Sequence, residues 1–156
     1  MAFSLSSTAF EHAVDIPDIY TCRGENVSPP VSWNGTPEGT KSFALIAEDL
    51  DTPVGIITHW VIFNIPPEKR GLEEAIPVQE RFTDGTIQGK NMMRRNGYMG
   101  PCPPWGRHRY YFRVFALDTV LDPDSSLTKK KLRRAMETHI LAQADLMGYY
   151  SKKKSL

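Results

Sequence analysis

The sequence predicts a mainly β domain with one α-helix near its C-terminal end laid against the strands. Three observations predict it. Three runs have strand length and are rich in apolar, β-branched and aromatic residues. Twelve prolines in 156 residues argue against a helical bundle and for strands joined by fixed loops. Only one stretch carries a clear helical period.

Lys41–Asp49 (KSFALIAED) is a short apolar run of strand length. Thr58–Ile65 (THWVIFNI) is β-branched and aromatic and stops at Pro66-Pro67. Arg109–Asp118 (RYYFRVFALD) is the strongest of the three. In extended chain, period-2 alternation places His59, Val61 and Phe63 on one side of their strand. His108, Tyr110, Phe112 and Val114 share one side of theirs. The helix is expected from about Thr128 to Met147, where Leu132, Ala135, Met136, His139, Ile140, Gln143, Leu146 and Met147 fall on one face. Thr128 caps its start and Gly148 its end. Lys129, Lys130 and Lys131 stand at the positive end of the helix dipole, an unfavourable placement that the sequence does not explain. The stretch from Ile65 to Arg109 holds many Gly, Pro, Asn and Arg residues and no convincing period, and loops that long are usually functional or disordered.

A chain of this length is expected to be one domain, residues 1–150, with a short basic tail at 151–156. Nineteen basic against eighteen acidic residues give a formal charge of +1, too balanced for a protein that coats nucleic-acid phosphates. No apolar run approaches the roughly 18 residues of a membrane span, so an integral membrane protein is not expected. The opening MAFSLSSTAF has neither a basic n-region nor a continuous apolar h-region, which favours the cytoplasm. Cys22 and Cys102 are the only cysteines, too few for a disulfide framework.

Three clusters carry candidate chemistry. Asp49-Leu50-Asp51-Thr52-Pro53 ends the first apolar strand, and His59-Trp60 opens the next. A Gly/Pro loop, Gly97 to Gly106, leads through Arg107, His108 and Arg109 to Tyr110. Taken singly each has an ordinary explanation: an Asx-turn for Asp51 before Thr-Pro, a half-buried ring for His59, solvated or paired arginines at 107 and 109. Two other chemistries are sketched by the same residues. Cys102, His108 and Asp49 outline a Cys-His-Asp hydrolase, and two histidines with one or two carboxylates outline a zinc or non-haem iron site. Spacing alone supports neither.

In combination, the order D-x-D-x-P, H-W-V-x-x-N and G-P-x-P-P-x-G-x-H-R-Y-x-F resembles the phosphatidylethanolamine-binding protein family, which includes the Raf kinase inhibitor proteins. The length and the segment Tyr20 to Pro30 (YTCRGENVSPP) resemble its short bacterial and archaeal branch. The resemblance implies a central antiparallel sheet packed on a second sheet, with an anion-binding pocket at one end. It assigns Asp49, His59, His108 and Tyr110 to that pocket and Gly100 and Pro101 to the loop that closes it and offers backbone donors. Asp51, Pro53, Cys102 and Arg109 fall beside them. Leu50 replaces the proline usual between the two aspartates, and Cys102 alters the loop wall.

The chemistry of the residues fits an anion site on its own terms. Two imidazoles, a phenol and loop amides supply donors to phosphate or a phosphomonoester headgroup. An aspartate beside them accepts from an imidazole N–H and sets its tautomer. The resemblance implies binding without catalysis and no cofactor. It also admits a second role, inhibition of serine proteases or kinases through surface loops. It brings Cys22 and Cys102 to the same end of the sheet, which a bridge would suit, although free thiols are the expectation for a cytoplasmic protein. A homodimer is the weakest expectation, with Trp105 and the Tyr149-Tyr150 pair as its candidates.

Overall fold

The computed structural model describes residues 2–124 and 127–152. Among them the chain forms β1 (Ser4–Ser6), β2 (Val14–Asp15), β3 (Val31–Asn34), β4 (Ser42–Thr52), β5 (Gly55–Ile65), β6 (Gly71–Leu72), β7 (Ile87–Gln88), β8 (Arg107–Leu117), α1 (Lys129–Met136) and β9 (Ile140–Ser151). Six strands make the central sheet in the order β2-β9-β8-β4-β5-β7, and three make a small sheet, β1-β3-β6. The expected strands are β4, β5 and β8, each a little longer than its apolar run, adjacent and mutually antiparallel in the central sheet, whose edge strand β2 runs parallel to β9. The fold is mainly β with two sheets and a helix, as expected.

Each face of the central sheet packs a core. Phe43, Leu45, Trp60, Phe112 and Val114 point toward the small sheet, where they meet Trp33. Ala44, Ile46, Val61, Phe63 and Phe115 point the other way, onto Leu132 and Met136 of α1. Adjacent residues of β4 therefore serve opposite layers, the period-2 rule applied to a strand buried on both sides.

The helix is shorter than its periodicity predicts. Thr128 caps it as expected, its hydroxyl accepting from the Lys131 amide at 3.2 Å. Leu132 and Met136 are its buried residues. The helix then stops, and residues 140–147, expected as its second half, belong to β9, which pairs with β8 from Arg107↔Ser151 to Leu117↔Ile140. The segment ILAQADLMGYYS also carries a period of two: Ala144, Leu146, Gly148 and Tyr150 are buried on one side. Helix-forming Leu, Ala and Gln disguise it, and eleven residues of pairing with β8 outweigh their propensity. Of the expected basic tail, Ser151 belongs to β9 and 153–156 lie outside the described residues.

The lysine-rich helix start is explained by Glu48. Its side chain leaves β4 on the helix face and is 2% exposed. Its carboxylate meets Lys129 Nζ at 2.7 Å, Arg113 Nη1 at 2.8 Å and Arg133 Nη2 at 3.4 Å. One buried anion thus offsets the charge that the helix dipole opposes and fixes α1 on the sheet.

Replacing Glu48 with Ala leaves three cations facing one another. Unfolding in urea should show a loss of about 2–4 kcal/mol, near the low end for breaking a buried pair because the cations keep some contact with water. A change within about 0.5 kcal/mol, typical of an ordinary surface site, would sink this account of how the helix is held.

Candidate functional site

The candidate site lies where β4, β5 and β8 end, on the face of the sheet that carries the small sheet. Asp49 and Tyr110 are direct cross-strand partners, and His108 is on the same face two residues earlier. His59 arrives differently. Ala47 pairs with Trp60 and Glu48 with Thr58, so His59 is the extra residue of a β-bulge. The bulge breaks the expected alternation: Val61 and Phe63 point to the helix layer, while the His59 ring stands edge-on to Tyr110 at 5.4 Å. A regular strand would have turned His59 away from the other three.

Asp49, His59, His108 and Tyr110 are each less than one-tenth exposed. His108 Nδ1 donates to Asp49 Oδ2 at 2.7 Å, and the Asp51 amide donates to Asp49 Oδ1 at 2.8 Å. Tyr110 stands across from Asp49 in the ladder, and its ring stacks with that of His108 at 6.3 Å. His59 Nδ1 donates to the Met99 carbonyl at 2.6 Å. Burial is the main cause that lowers the His59 pKa below the usual histidine value. Burial, and then the Asp49 carboxylate, pushes the Tyr110 phenol far above its ordinary range.

The four residues form the floor of a cavity of about 540 Å³. Its walls are mostly apolar: Pro53, Val54, Ile57, Met92, Met93, Met99, Pro103, Pro104 and Trp105. No lysine or arginine lines it among the described residues. Sequence reasoning missed the methionine wall. The exposed Met92-Met93 pair inside a polar loop was the only signal for it.

The remaining candidates are placed as follows. Gly100 lines the cavity, but its N–H donates to Asn26 Oδ1 at 2.8 Å, so it is not the spare donor expected of the loop. A Cβ there would lie 2.1 Å from the Tyr20 carbonyl oxygen, which explains the glycine. Pro101 is buried outside the lining, and its carbonyl accepts from the Cys22 amide at 3.1 Å. Asp51 does not cap its own turn. It holds Arg109 through the Arg109 amide and two guanidinium nitrogens at 2.8–2.9 Å, and those bonds lower its pKa below the usual carboxylate value.

Cys22 and Cys102 are joined in a disulfide, contrary to the expectation of free thiols. Both line the cavity, and the bond ties the Gly/Pro wall loop to the segment around Asn26. The cysteines are 80 residues apart in sequence, and their convergence follows from the fold rather than from any local signal. A bonded Cys102 is not a nucleophile, so the hydrolase sketch lacks its sulfur. Among the described residues no three His, Cys, Asp or Glu side chains are grouped to hold a metal ion.

Closing a loop of that length restricts the unfolded chain, so Cys22→Ser with Cys102→Ser should cost about 2–5 kcal/mol. Thermal unfolding of parent and double variant, without reductant, measures it. Equal midpoints would contradict the bond. The lowered His59 pKa has its own consequence. The unfolded chain binds a proton near pH 6.5, while the folded chain resists it to lower pH. His59 therefore contributes stability above 6.5 that is lost as pH falls from there toward the folded value. In urea titrations from pH 8 to 5, the parent should lose more stability than His59→Gln. Parallel slopes would show that this ring is not the titrating contributor.

Comparison with known proteins shows the family of the chain. The family model described as phosphatidylethanolamine-binding protein matches residues 6–151. A UPF0098 protein of Methanothermobacter thermautotrophicus is 52% identical over 149 residues, 96% of this chain and 99% of the relative. One from Chlamydia muridarum is 42% identical, covering 95% and 98%. Among solved structures, a phosphatidylethanolamine-binding protein homolog from Chlamydia trachomatis superposes with a TM-score of 0.89 at 40% identity, covering 97% of this chain and 99% of that one. YbcL of E. coli, described as a member of the mammalian family, superposes with a TM-score of 0.88 at 30% identity, covering 98% and 100%. The chain belongs to the phosphatidylethanolamine-binding protein family.

Proposed function

We propose that the protein is a non-catalytic, regulatory binder of a small anion, phosphate or a phosphomonoester headgroup, at this cavity. The observation that carries the reading is the meeting of two imidazoles and a phenol in the lining of one half-open cavity. His108 is the principal contact: once protonated it offers Nε2–H to the anion while Nδ1–H stays on Asp49. His59 and Tyr110 flank the anion, and Asp49 orients His108. Gly100 is part of the wall and Pro101 holds the loop behind it. Pro53 and Cys102 shape the mouth, and Arg109 steadies Asp51. The apolar walls suit the carbon portion of an ester.

Membership of the family supports small-ligand binding in general, and the headgroup is our own reading. Inhibition of proteases or kinases has little in its favour beyond the exposed Trp105, at 61%. A homodimer would also rest on Trp105, since Tyr150 is buried and Tyr149 lies under the Arg107 guanidinium at 3.7 Å. No helix among the described residues is long and apolar enough to cross a membrane. A cytoplasmic location belongs to the same reading, and the disulfide weighs against it, because most reducing compartments keep thiols free.

Calorimetric titration with phosphoethanolamine tests the proposal. Binding should tighten as pH falls, because a charge-assisted bond from an imidazolium to the anion is stronger than one from a neutral ring. His108→Ala should weaken binding about tenfold or more, the worth of a charge-assisted bond. Equal affinities for the two proteins, or tighter binding at high pH, would remove the anion site.

A further inference from the structure

We infer that a basic groove and the apolar rim beside it dock the protein on an anionic lipid bilayer, with the mouth of the cavity turned toward the membrane. Docking does not depend on what the cavity holds.

The groove, of about 620 Å³, lies between the start of β5, the loop after β7 and the start of α1. Lys90, Arg94, Lys129 and Lys130 line it, and among the described residues no aspartate or glutamate does. Lys129 is answered by Glu48, whereas Lys90 donates to the neutral side-chain oxygen of Asn96 and keeps its charge. Arg94 and Lys130 are exposed and enter no ion pair among the described residues. Lys131 and Arg134 add exposed charge from the same helix, which carries no acid from Lys129 to Met136. The acids nearest in the chain do not cancel this excess. Arg81 holds Asp124, whose amide donates to Asp122, and Arg109 holds Asp51 at the end of β4.

Val54, Ile57 and Met92 line both the groove and the cavity, so the two hollows adjoin. Around that shared rim stand Val54, Ile56, Met92, Met93 and Trp105. They are half of the large apolar side chains exposed among the described residues. Single exposed apolar residues are ordinary, but a cluster of them rimmed by charge marks a contact surface. Turn chemistry does not ask for them. Val54 is 81% exposed at the turn between β4 and β5, where polar residues and glycine are the usual choice.

A lipid surface meets both needs at once. Its acidic headgroups attract Arg94, Lys130 and the neighbouring cations. Its interfacial layer takes aliphatic side chains, and a tryptophan ring settles at headgroup depth. A nucleic acid would use the cations and leave Val54 and Ile56 in water. Contacts of this kind place a protein on the bilayer rather than across it.

Sedimentation with vesicles tests docking. Phosphatidylcholine alone is compared with phosphatidylcholine and phosphatidylglycerol in equal parts, at about 0.1 M salt, where the Debye length is about 10 Å. The protein should bind the mixed vesicles about tenfold or more tightly than the neutral ones, and salt near about 1 M should release it. Arg94→Ala and Lys130→Ala should each weaken binding about fivefold, the worth of one cation at the surface. Val54→Ser with Ile56→Ser should weaken it about tenfold or more. All four positions are exposed, so these variants leave the core intact. Trp33 and Trp60 are fully buried, so a blue shift of tryptophan emission on mixed vesicles reports Trp105, and Trp105→Phe should abolish it. No binding to mixed vesicles, or equal binding to neutral ones, would overturn the inference. So would an affinity unchanged by the two serines. Binding to heparin with tryptophan emission unmoved by vesicles would overturn it too, and would give the groove to a soluble polyanion.

Discussion

Glu48 and Asp49 are neighbours in a strand buried on both sides, and alternation sends them to opposite faces. Much else in the molecule depends on that constraint. Glu48 gathers Arg113, Lys129 and Arg133 and holds the helix. Asp49 gathers His108 and the Asp51 amide at the strand end, across from Tyr110. Two carboxylates of the same kind, one residue apart, acquire structural and chemical roles because pleating separates them by the thickness of the sheet. A one-residue slip of β4 would exchange the two environments, placing a carboxylate among the apolar residues of each core.

The pairing of β4 with both neighbours makes such a slip costly, and the irregularity that redirects His59 is therefore informative. The bulge at His59 adds a residue where regular pairing would have turned the imidazole toward the helix layer. Bulges kink a strand locally and redirect a side chain without disturbing the ladder far away. Here the ladder resumes at once, with Val61 and Phe63 in one core and Trp60 and Ile62 in the other. The site thus has three residues from regular alternation and one from a local exception to it.

The loop that walls the cavity is fixed by attachments to another segment rather than by its own structure. The Cys22–Cys102 bond, the Pro101 carbonyl on the Cys22 amide and the Asn26 side chain on the Gly100 amide all tie it to the segment after Tyr20. Two imidazoles line the same cavity, and the fold fixes what accepts from each Nδ1: the Met99 carbonyl for His59 and the Asp49 carboxylate for His108.

The three central strands, the cap at Thr128 and the residues of the floor were legible in the chain, because apolar period and motif order are local properties of sequence. Asp49, His108 and Tyr110 follow from alternation once β4 and β8 are recognised, and the ordered motifs point to His59. What was not legible depended on partners distant in the chain. Residues 140–147 have a helical period as well as a strand period, and only the long edge of β8 selects the strand. The bulge at His59 exists only relative to β4, and the disulfide only because 80 residues fold back. The three lysines at the helix start looked misplaced until Glu48 came to face them across the sheet. Local pattern can specify which residues are extended and which side they face. Register, pairing and the partners of buried charges are set when separate segments meet, since their free energy comes from contacts that no single segment contains.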